Sequence, residues 1–350
     1  MTSDWRTGTR SERYEWRLLD RATLAPCGNL DEVVAGSGKL AGSLHADVRW
    51  QGSLTWLGQS APDWDARLVQ PWIIINDIHK YPLCPPCRTA VKDEERNPDG
   101  STRCDVTLTD IGYRVGMART TDTLSLPAGT VITDRIEALL RDISMPRLAI
   151  TPSTATLRTP KTWDGGTPIL RVVNDLAEAA GYWGVHADLS GAIVGAPYMP
   201  PGQRSSSWRF EPGANAIIAP NRKRTRDDLA VPNRLTGVTP DGSLRKVVLL
   251  DDIDPGSPYT SAKRGFVDER VEIEASNAAA LQTSTQRRLL SMTRMTTTHQ
   301  TTHRWLPEVT LSSTVEMLTE VGWLRCSVER QELTMVTGLQ VASVWREVGQ

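Results

Sequence analysis

The first third of the chain alternates apolar and polar residues with the two-residue period of strands that bury one face. In "YEWRLL" the side chains of Tyr14, Trp16 and Leu18 share a face; "LHADVRW", "SLTWLG" and "RLVQPWIIIN" follow, the last running into "KYPL". Next comes a polar loop, "KDEERNPDGS", whose Asp99-Gly100 signals a hairpin turn. "RCDVTLTD" then sets Cys104, Val106 and Leu108 on one side. Several short strands divided by Gly, Asp and Pro turns predict a barrel or a sandwich.

The period changes in the middle. In "GTVITDRIEALLRDI" the residues Ile132, Ile136, Leu139, Leu140 and Ile143 fall on one helical stripe. In the next helix Thr167 is placed to cap and Pro168 suits the first turn. Leu170, Val173, Ala177 and Ala180 form its stripe and Gly181 closes it. "YWGVHADLSGAIVGAPY" predicts a hairpin about Asp188 to Gly191, with Trp183, Val185 and Ala187 alternating. The segment "APYMPPGQRSSS", Ala196 to Ser207, ends this small α/β unit.

Strands return in "NRLTGVTP" and "RKVVLLDD", and one helix is predicted from about Asn277 to Met292. The threonine-rich "MTTTHQTTHRWLPEVTLSS" and the closing "GWLRCSVERQELTMVTGLQVASVWREV" read as strands, since Thr, Val and Trp suit a pleated surface. No internal sequence repeat is evident.

Composition narrows the choice. A chain of 350 residues has room for two or three domains. Forty basic residues against forty-one acidic ones give a formal charge of -1, so no global attraction to nucleic acid or anionic lipid is expected. Five cysteines do not form a disulfide framework, and the charged "MTSDWRTGTRSERYEW" lacks the apolar core of a signal peptide. These features, with no apolar run near the ~20 residues that span a bilayer, predict a soluble protein of a reducing cytoplasm. Twelve tryptophans against two phenylalanines supply large side chains for cores and for interfaces.

Candidate chemistry is sparse. In "DIHKYPLCPPCRTA" the potential ligands His79, Cys84 and Cys87, with Cys104 beyond, follow no recurring zinc spacing. Pro85 and Pro86 lack the N–H groups that would support a bound sulfur, and no amphipathic helix follows as a redox pair requires. We read the cysteines as structural. His299 and His303 in "HQTTH" would converge on a helix, but on a strand they stand ~13 Å apart at ~3.3 Å per residue. "VVAGSGKLAGS" has Val33 where a phosphate loop needs its first glycine and Leu40 where it needs Ser or Thr, and reads as a strand connection. Asp251, Asp252 and Asp254 in "DDIDPGSP" lack the glycine and closing glutamate of a calcium loop. "NRKRTRDD", Asn221 to Asp228, reads as a solvated or interface loop. No catalytic constellation is evident, so no catalytic, metal or cofactor residue is assigned and no enzymatic activity is expected.

The order of segments resembles the minor tail, or tail hub, proteins of long-tailed phages of actinobacteria, and beyond them the baseplate hub proteins of contractile tails. The resemblance runs from about residue 14 to the end. It rests on "RLVQPWIIIN...KYPL" then "CDVTLTD", "LSLPAGTVITDRIEALL" and "TPILRVVNDLAEAAGYWGVHADLSGAIVGAPY". It continues through "VPNRLTGV", "DDIDPGSPYTSAKRG" and "RRLLSMTRMTTTHQTTHRWLPEVTLSSTVEML". "KYPLCPPC" departs from it: such proteins carry there a strand reading like Leu-Gly-x-Phe.

The resemblance implies an α+β, mostly β chain: a first β-barrel domain over 1–125, a small α/β domain over 126–205, and a second β-barrel domain over 206–350 with its helix near 277–292. It implies a homotrimeric ring at the tail tip, adapting the hexameric tail tube to a threefold tip. The ring would contact the tail tube or distal tail protein, the tape-measure protein and other tip or fibre proteins, with DNA only in transit and no stable membrane association. The rival expectations are a cell-wall hydrolase, a carbohydrate-binding tip component, and a hexameric distal tail protein.

Overall fold

The computed structural model describes residues 4–348 apart from 214–215, 227–228, 230, 274–277, 295–296 and 321. The alternating first third forms β1 (Glu12–Asp20), β2 (Pro26–Asn29), β3 (Lys39–Ser43), β4 (Trp50–Gly58), β5 (Arg67–Ile75), β6 (His79–Pro82), β7 (Cys87–Arg96) and β8 (Thr102–Asp110), whereas "LHADVRW" is the turn from β3 to β4, with only Trp50 in a strand. The hairpin signal is realised: Gly100 turns at φ +84° and its N–H donates to Asn97 O at 3.1 Å, joining β7 to β8. The polar stretch before it is not a loop. Asp93 to Arg96 continue the ladder on β8, because the turn holds the two arms in register and polar side chains on an exposed strand stay in water. Cys104, Val106 and Leu108 are buried together.

The middle contributes α1 (Tyr113–Met117), β9 (Leu124–Leu126), α2 (Ile132–Asp142), β10 (Leu148–Ile150), β11 (Lys161–Trp163), α3 (Ile169–Ala179), β12 (His186–Ala187) and β13 (Ile193–Gly195). Both helical stripes are buried in one cluster, which also takes Leu19 and Leu68, partners across β1 and β5. Gly181, at φ +73°, closes α3: Tyr182 N–H donates to Ala177 O and Gly181 N–H to Glu178 O, satisfying carbonyls at the helix end. The other end departs from expectation. Pro168 occupies the cap position, and Thr167 Oγ1 donates instead to Asp164 O at 2.7 Å within the preceding turn.

The last third forms β14 (Ser206–Phe210), β15 (Lys223–Arg226), β16 (Arg234–Val238), β17 (Arg245–Leu249), α4 (Leu250–Ile253), α5 (Ser261–Arg264), β18 (Asp268–Glu272), α6 (Ala278–Arg294), β19 (Thr297–Arg304), β20 (Thr314–Thr319), β21 (Gly322–Thr334) and β22 (Gln340–Glu347). The predicted start of the helix at Asn277 lies outside the described residues. "NRLTGV" and "RKVVLL" are strands, but β16 pairs with β17 and, in parallel, with β18 in a separate three-stranded sheet. Helix α6 packs on it through Leu281, Thr285 and Leu289, all fully buried. Gly237 is required there: a Cβ would lie 2.1 Å from Thr285 Oγ1. The sequence reading had no place for this second α/β unit.

Fourteen strands belong to one sheet, whose main path runs β15-β19-β22-β21-β3-β4-β8-β7-β5-β1-β2. Two closed barrels were expected; among the described residues no barrel closes. Isolated bridges lie beside two of the ladders, Val33↔Trp56 in the first half and Ile218↔His303 in the second. Two local features interrupt the extended backbone. Glu32 has φ +64°, which parts Val33 from β2, and Pro220 has no N–H, which parts Ile218 from β15.

The two halves meet on β21. One edge of this strand pairs with β22; the other pairs with β20 through Gly322 to Ser327 and then with β3 through Arg330 to Thr334. The register shifts between Val328 and Arg330, and Glu329 at this bulge is 8% exposed. Its carboxylate accepts from Arg346 Nη2 at 3.1 Å and lies 3.1 Å from His45 Nε2, while its carbonyl accepts Leu44 N–H at 2.8 Å.

Burial works against the Glu329 charge, but the hydrogen bonds from His45 and Arg346 outweigh it and hold the carboxyl below its ordinary range. A carboxyl lowered on folding adds stability above its unfolded pKa, about 4.3, and loses it as pH falls through the lower folded value. Glu329→Gln is therefore expected to lower the unfolding free energy by about 1–3 kcal/mol at neutral pH. In urea titrations the difference from the parent should shrink as pH falls below about 4.

Candidate functional site

Eight consecutive strands of the sheet, β15-β19-β22-β21-β3-β4-β8-β7, are antiparallel throughout and draw on both halves of the chain. One face of this run carries the apolar clusters: Leu40, Leu54, Trp56, Val106 and Leu333 in one, Val328 and Trp345 in the other. Strand pleating sends the alternate residues to the opposite face. These are Gln300 and Thr302 on β19, Ala342 and Val344 on β22, Arg330 and Glu332 on β21, Lys39 and Ala41 on β3, Gln51 and Ser53 on β4, and Arg103, Asp105 and Thr107 on β8. None of them is buried. The face is small, polar and of mixed charge, and a groove of 570 Å³ lies on it between Arg222, Gln300, Arg330 and Val344.

Close packing on the buried side keeps this face continuous. At Gly42 on β3 a Cβ would lie 2.9 Å from the Trp50 ring, so the indole fills the space that a side chain would take. On β19 the inward residues include His299 and His303. His299 Nε2 lies 2.7 Å from Glu347 Oε1; His303 Nε2 lies 2.9 Å from Ser343 Oγ, with its ring 5.1 Å from Phe210 and 5.4 Å from Trp345. Burial pushes the His303 imidazole down to about 4, so it is neutral at pH 7. Each histidine has its own partner on β22.

The cysteine candidates come together only in part. Cys84 Sγ and Cys87 Sγ are 3.6 Å apart with Cys87 Sγ 3.3 Å from Pro85 O, and both are buried in the cluster that also holds Cys104. The contact with Cys84, with burial, raises the Cys87 thiol well above its ordinary range, the opposite of an activated thiol. His79 stands instead against Trp5, ring centroids 5.2 Å apart. Asp251 accepts from Ser261 N at 3.0 Å and Oγ at 2.7 Å, fixing the start of α5, while Asp252 and Asp254 are exposed. The segment from Val33 is a turn leading into β3, with Ser37 Oγ donating to Val34 O. In "NRKRTRDD" residues Lys223 to Arg226 form strand β15 rather than a loop, and Asp227 and Asp228 lie outside the described residues. Among the described residues no group of three or more His, Cys, Asp or Glu is placed to hold a metal ion, and no helix is long and apolar enough to cross a membrane.

A cavity of 280 Å³ opens where the three parts of the chain meet, lined by Arg49, Tyr81, His186, Trp305 and Gln331 among others. Burial pushes Arg49 down to about 10 and His186 down to about 4, and raises nearby Asp110 to about 6 despite the N–H groups of Trp50 and Gly112 that bond it. Asp110 fixes backbone: its Oδ2 accepts Trp50 N–H at 2.8 Å and its Oδ1 accepts Gly112 N–H at 2.7 Å.

No family model and no curated protein matches the chain. Its fold is shared with solved structures over nearly its whole length. A tail protein from Neisseria meningitidis MC58 is 12% identical with a TM-score of 0.66, the match covering 95% of this chain and 96% of that one. The 43 kDa tail protein of prophage MuSo2 from Shewanella oneidensis is 11% identical with a TM-score of 0.61, over 95% and 98%. An Escherichia coli component of the type VI secretion system, itself similar to the T4 bacteriophage tail proteins gp27 and gp5, is 8% identical with a TM-score of 0.53, over 95% and 77%. The chain has the fold of these tail proteins.

Cys27 is exposed, whereas Cys84, Cys87, Cys104 and Cys326 are buried. Titration of the native protein with Ellman's reagent should therefore give one fast thiol, Cys27, and release the other four only on denaturation.

Proposed function

We propose that the chain is a structural protein of a phage tail tip, three copies of which form a hub ring around the axial channel. The observation that carries this reading is the uncovered, polar face of eight antiparallel strands, on a fold shared end to end with tail proteins.

The strand count supports an adaptor role in this reading. Each chain offers two four-stranded segments side by side, β15-β19-β22-β21 and β3-β4-β8-β7, joined by the β21–β3 ladder. Three chains thus offer six segments to a hexameric tube while keeping threefold symmetry below it. In this reading the open face becomes the channel wall. Threonine, serine, glutamine and alanine with charges of both signs suit such a wall. A strongly basic surface would hold DNA by release of its counterions, and the net charge of -1 provides no such pull.

In this reading the ring contacts the tail tube or distal tail protein on one side and the tape-measure and further tip proteins on the other, and DNA passes without a lasting contact. The proposed site of the chain is the virion tail tip.

Cryo-electron microscopy of isolated tails tests the assignment. Three copies around the axis, with Gln300, Thr302, Ala342 and Ser53 facing an open lumen, are expected. Six copies would identify a distal tail protein instead, and cleavage of purified cell wall by the chain alone would favour the hydrolase reading.

A further inference from the structure

The 280 Å³ cavity between the three parts of the chain has walls that are fixed by their own hydrogen bonds. Arg49, just before β4, is held on both sides: its carbonyl accepts Ser43 N–H at 2.9 Å, and Asp110 accepts the N–H of the next residue, Trp50. Gln70 Nε2 donates to Cys84 O at 3.0 Å and to Leu189 O at 2.7 Å, which ties the bend after β6 to the β12–β13 hairpin. On the third side Gln331 Nε2 donates to Val309 O at 2.9 Å. A cavity preformed in this way imposes little ordering cost on a ligand.

These bonds leave one cation over. Among the described residues nothing accepts a hydrogen bond from the half-buried Arg49 guanidinium, and no carboxylate forms an ion pair with it. Burial pushes it down to about 10, with the charge of Asp110 acting the other way, so it is charged at pH 7. The other titratable groups nearby are already engaged. Asp188 lines the cavity, but its Oδ1 accepts the N–H groups of Ser190 at 2.8 Å and Ala192 at 3.0 Å. Asp110 is not part of the lining, and both its oxygens hold backbone N–H groups. His186 donates from Nδ1 to Gly184 O at 3.2 Å; burial, then the Arg49 charge, push it down to about 4, so it is neutral. A guanidinium without an acceptor is matched by a carboxylate, which takes two of its N–H groups as a forked pair.

Much of the remaining lining is apolar or aromatic. The rings of Tyr81 and Trp305 lie 5.8 Å apart at 52°, and Trp50 and Leu311 also face the cavity. Its volume falls just below the range of about 300–1,000 Å³ common to ligand pockets, which limits an occupant to a small molecule.

We propose that the cavity binds a small aromatic carboxylate: the carboxylate takes the forked pair from Arg49, and the ring packs among Tyr81, Trp305 and Leu311. The inference rests on the cavity alone and is independent of the hub reading. Because the walls come from all three parts of the chain, an occupant also stabilises the folded state by linkage.

Phenylacetate tests the site, with its neutral amide, phenylacetamide, and with acetate as controls. In isothermal titration calorimetry of the purified full chain, one phenylacetate per chain should bind, and both controls should bind at least tenfold more weakly. Tryptophan fluorescence should change along the same isotherm, since Trp50 and Trp305 line the cavity. Arg49→Gln should weaken phenylacetate at least tenfold and bring it level with phenylacetamide, whereas Arg49→Lys, which keeps the charge and loses the fork, should fall between. Leu189→Asp leaves Arg49 in place and sets a competing carboxylate on the wall, so it should abolish binding. Leu189 sits in a turn and is 38% exposed, so this variant is expected to fold, and a cooperative thermal melt checks each variant. Equal affinity for phenylacetate and phenylacetamide, parental binding in folded Arg49→Gln or Leu189→Asp, or no saturable binding of phenylacetate at millimolar concentration would each overturn the proposal.

Discussion

A strand has two hydrogen-bonding edges, and β21 uses one of its edges for two partners. Over thirteen residues it pairs with β20, shifts register, and then pairs with β3. The shift has to occur where the backbone leaves regular geometry, and Glu329 sits there with Arg346, His45 and the Leu44 amide gathered on it. The continuity of the sheet depends on this junction, because among the described residues no other ladder joins the strands of the last third to those of the first.

The cores follow the same logic. The cluster built on Trp16, Trp50 and Trp56 also contains Trp305, Leu311, Leu333, Leu339 and Val341, so the last third completes the interior of the first. Near the start of the described chain, Trp5 enters this cluster, Arg6 bonds Glu308 and Arg10 Nη1 donates to Trp305 O at 3.0 Å. A buried sheet face sealed from both ends of the polypeptide leaves the other face free to be polar. Tryptophan packing lies behind the sheet, and the exposed face carries no part of it.

Much of the local structure was legible because its causes are local. Alternation marked Cys104, Val106 and Leu108 as inward; helical spacing marked the stripe of α2; Gly181 marked the end of α3 because few residues other than glycine accept its left-handed backbone. Where the reading departed, a nonlocal partner decided. Asp93 to Arg96 look like a loop by composition, but the Asp99-Gly100 turn delivers them to β8. Thr167 looks like a cap, but Asp164 takes its hydroxyl. The strands after Arg234 look like further members of a barrel, and it is α6, more than thirty residues on, that gathers them into their own sheet.

By itself the sequence determined periodicity, turns and the absence of any conventional ligand spacing, since each is a property of residues close together in the chain. It also determined that β19 would carry Thr, Gln and His in alternation. Only the tertiary structure decided that the outward half of that alternation adjoins those of seven other strands, because the order of strands in a sheet is set by hydrogen bonds between segments as distant as Ser43 and Arg330. It decided too that Cys84 and Cys87 lie in apolar surroundings and that, among the described residues, strands of both halves share one sheet, since both depend on contacts between distant segments.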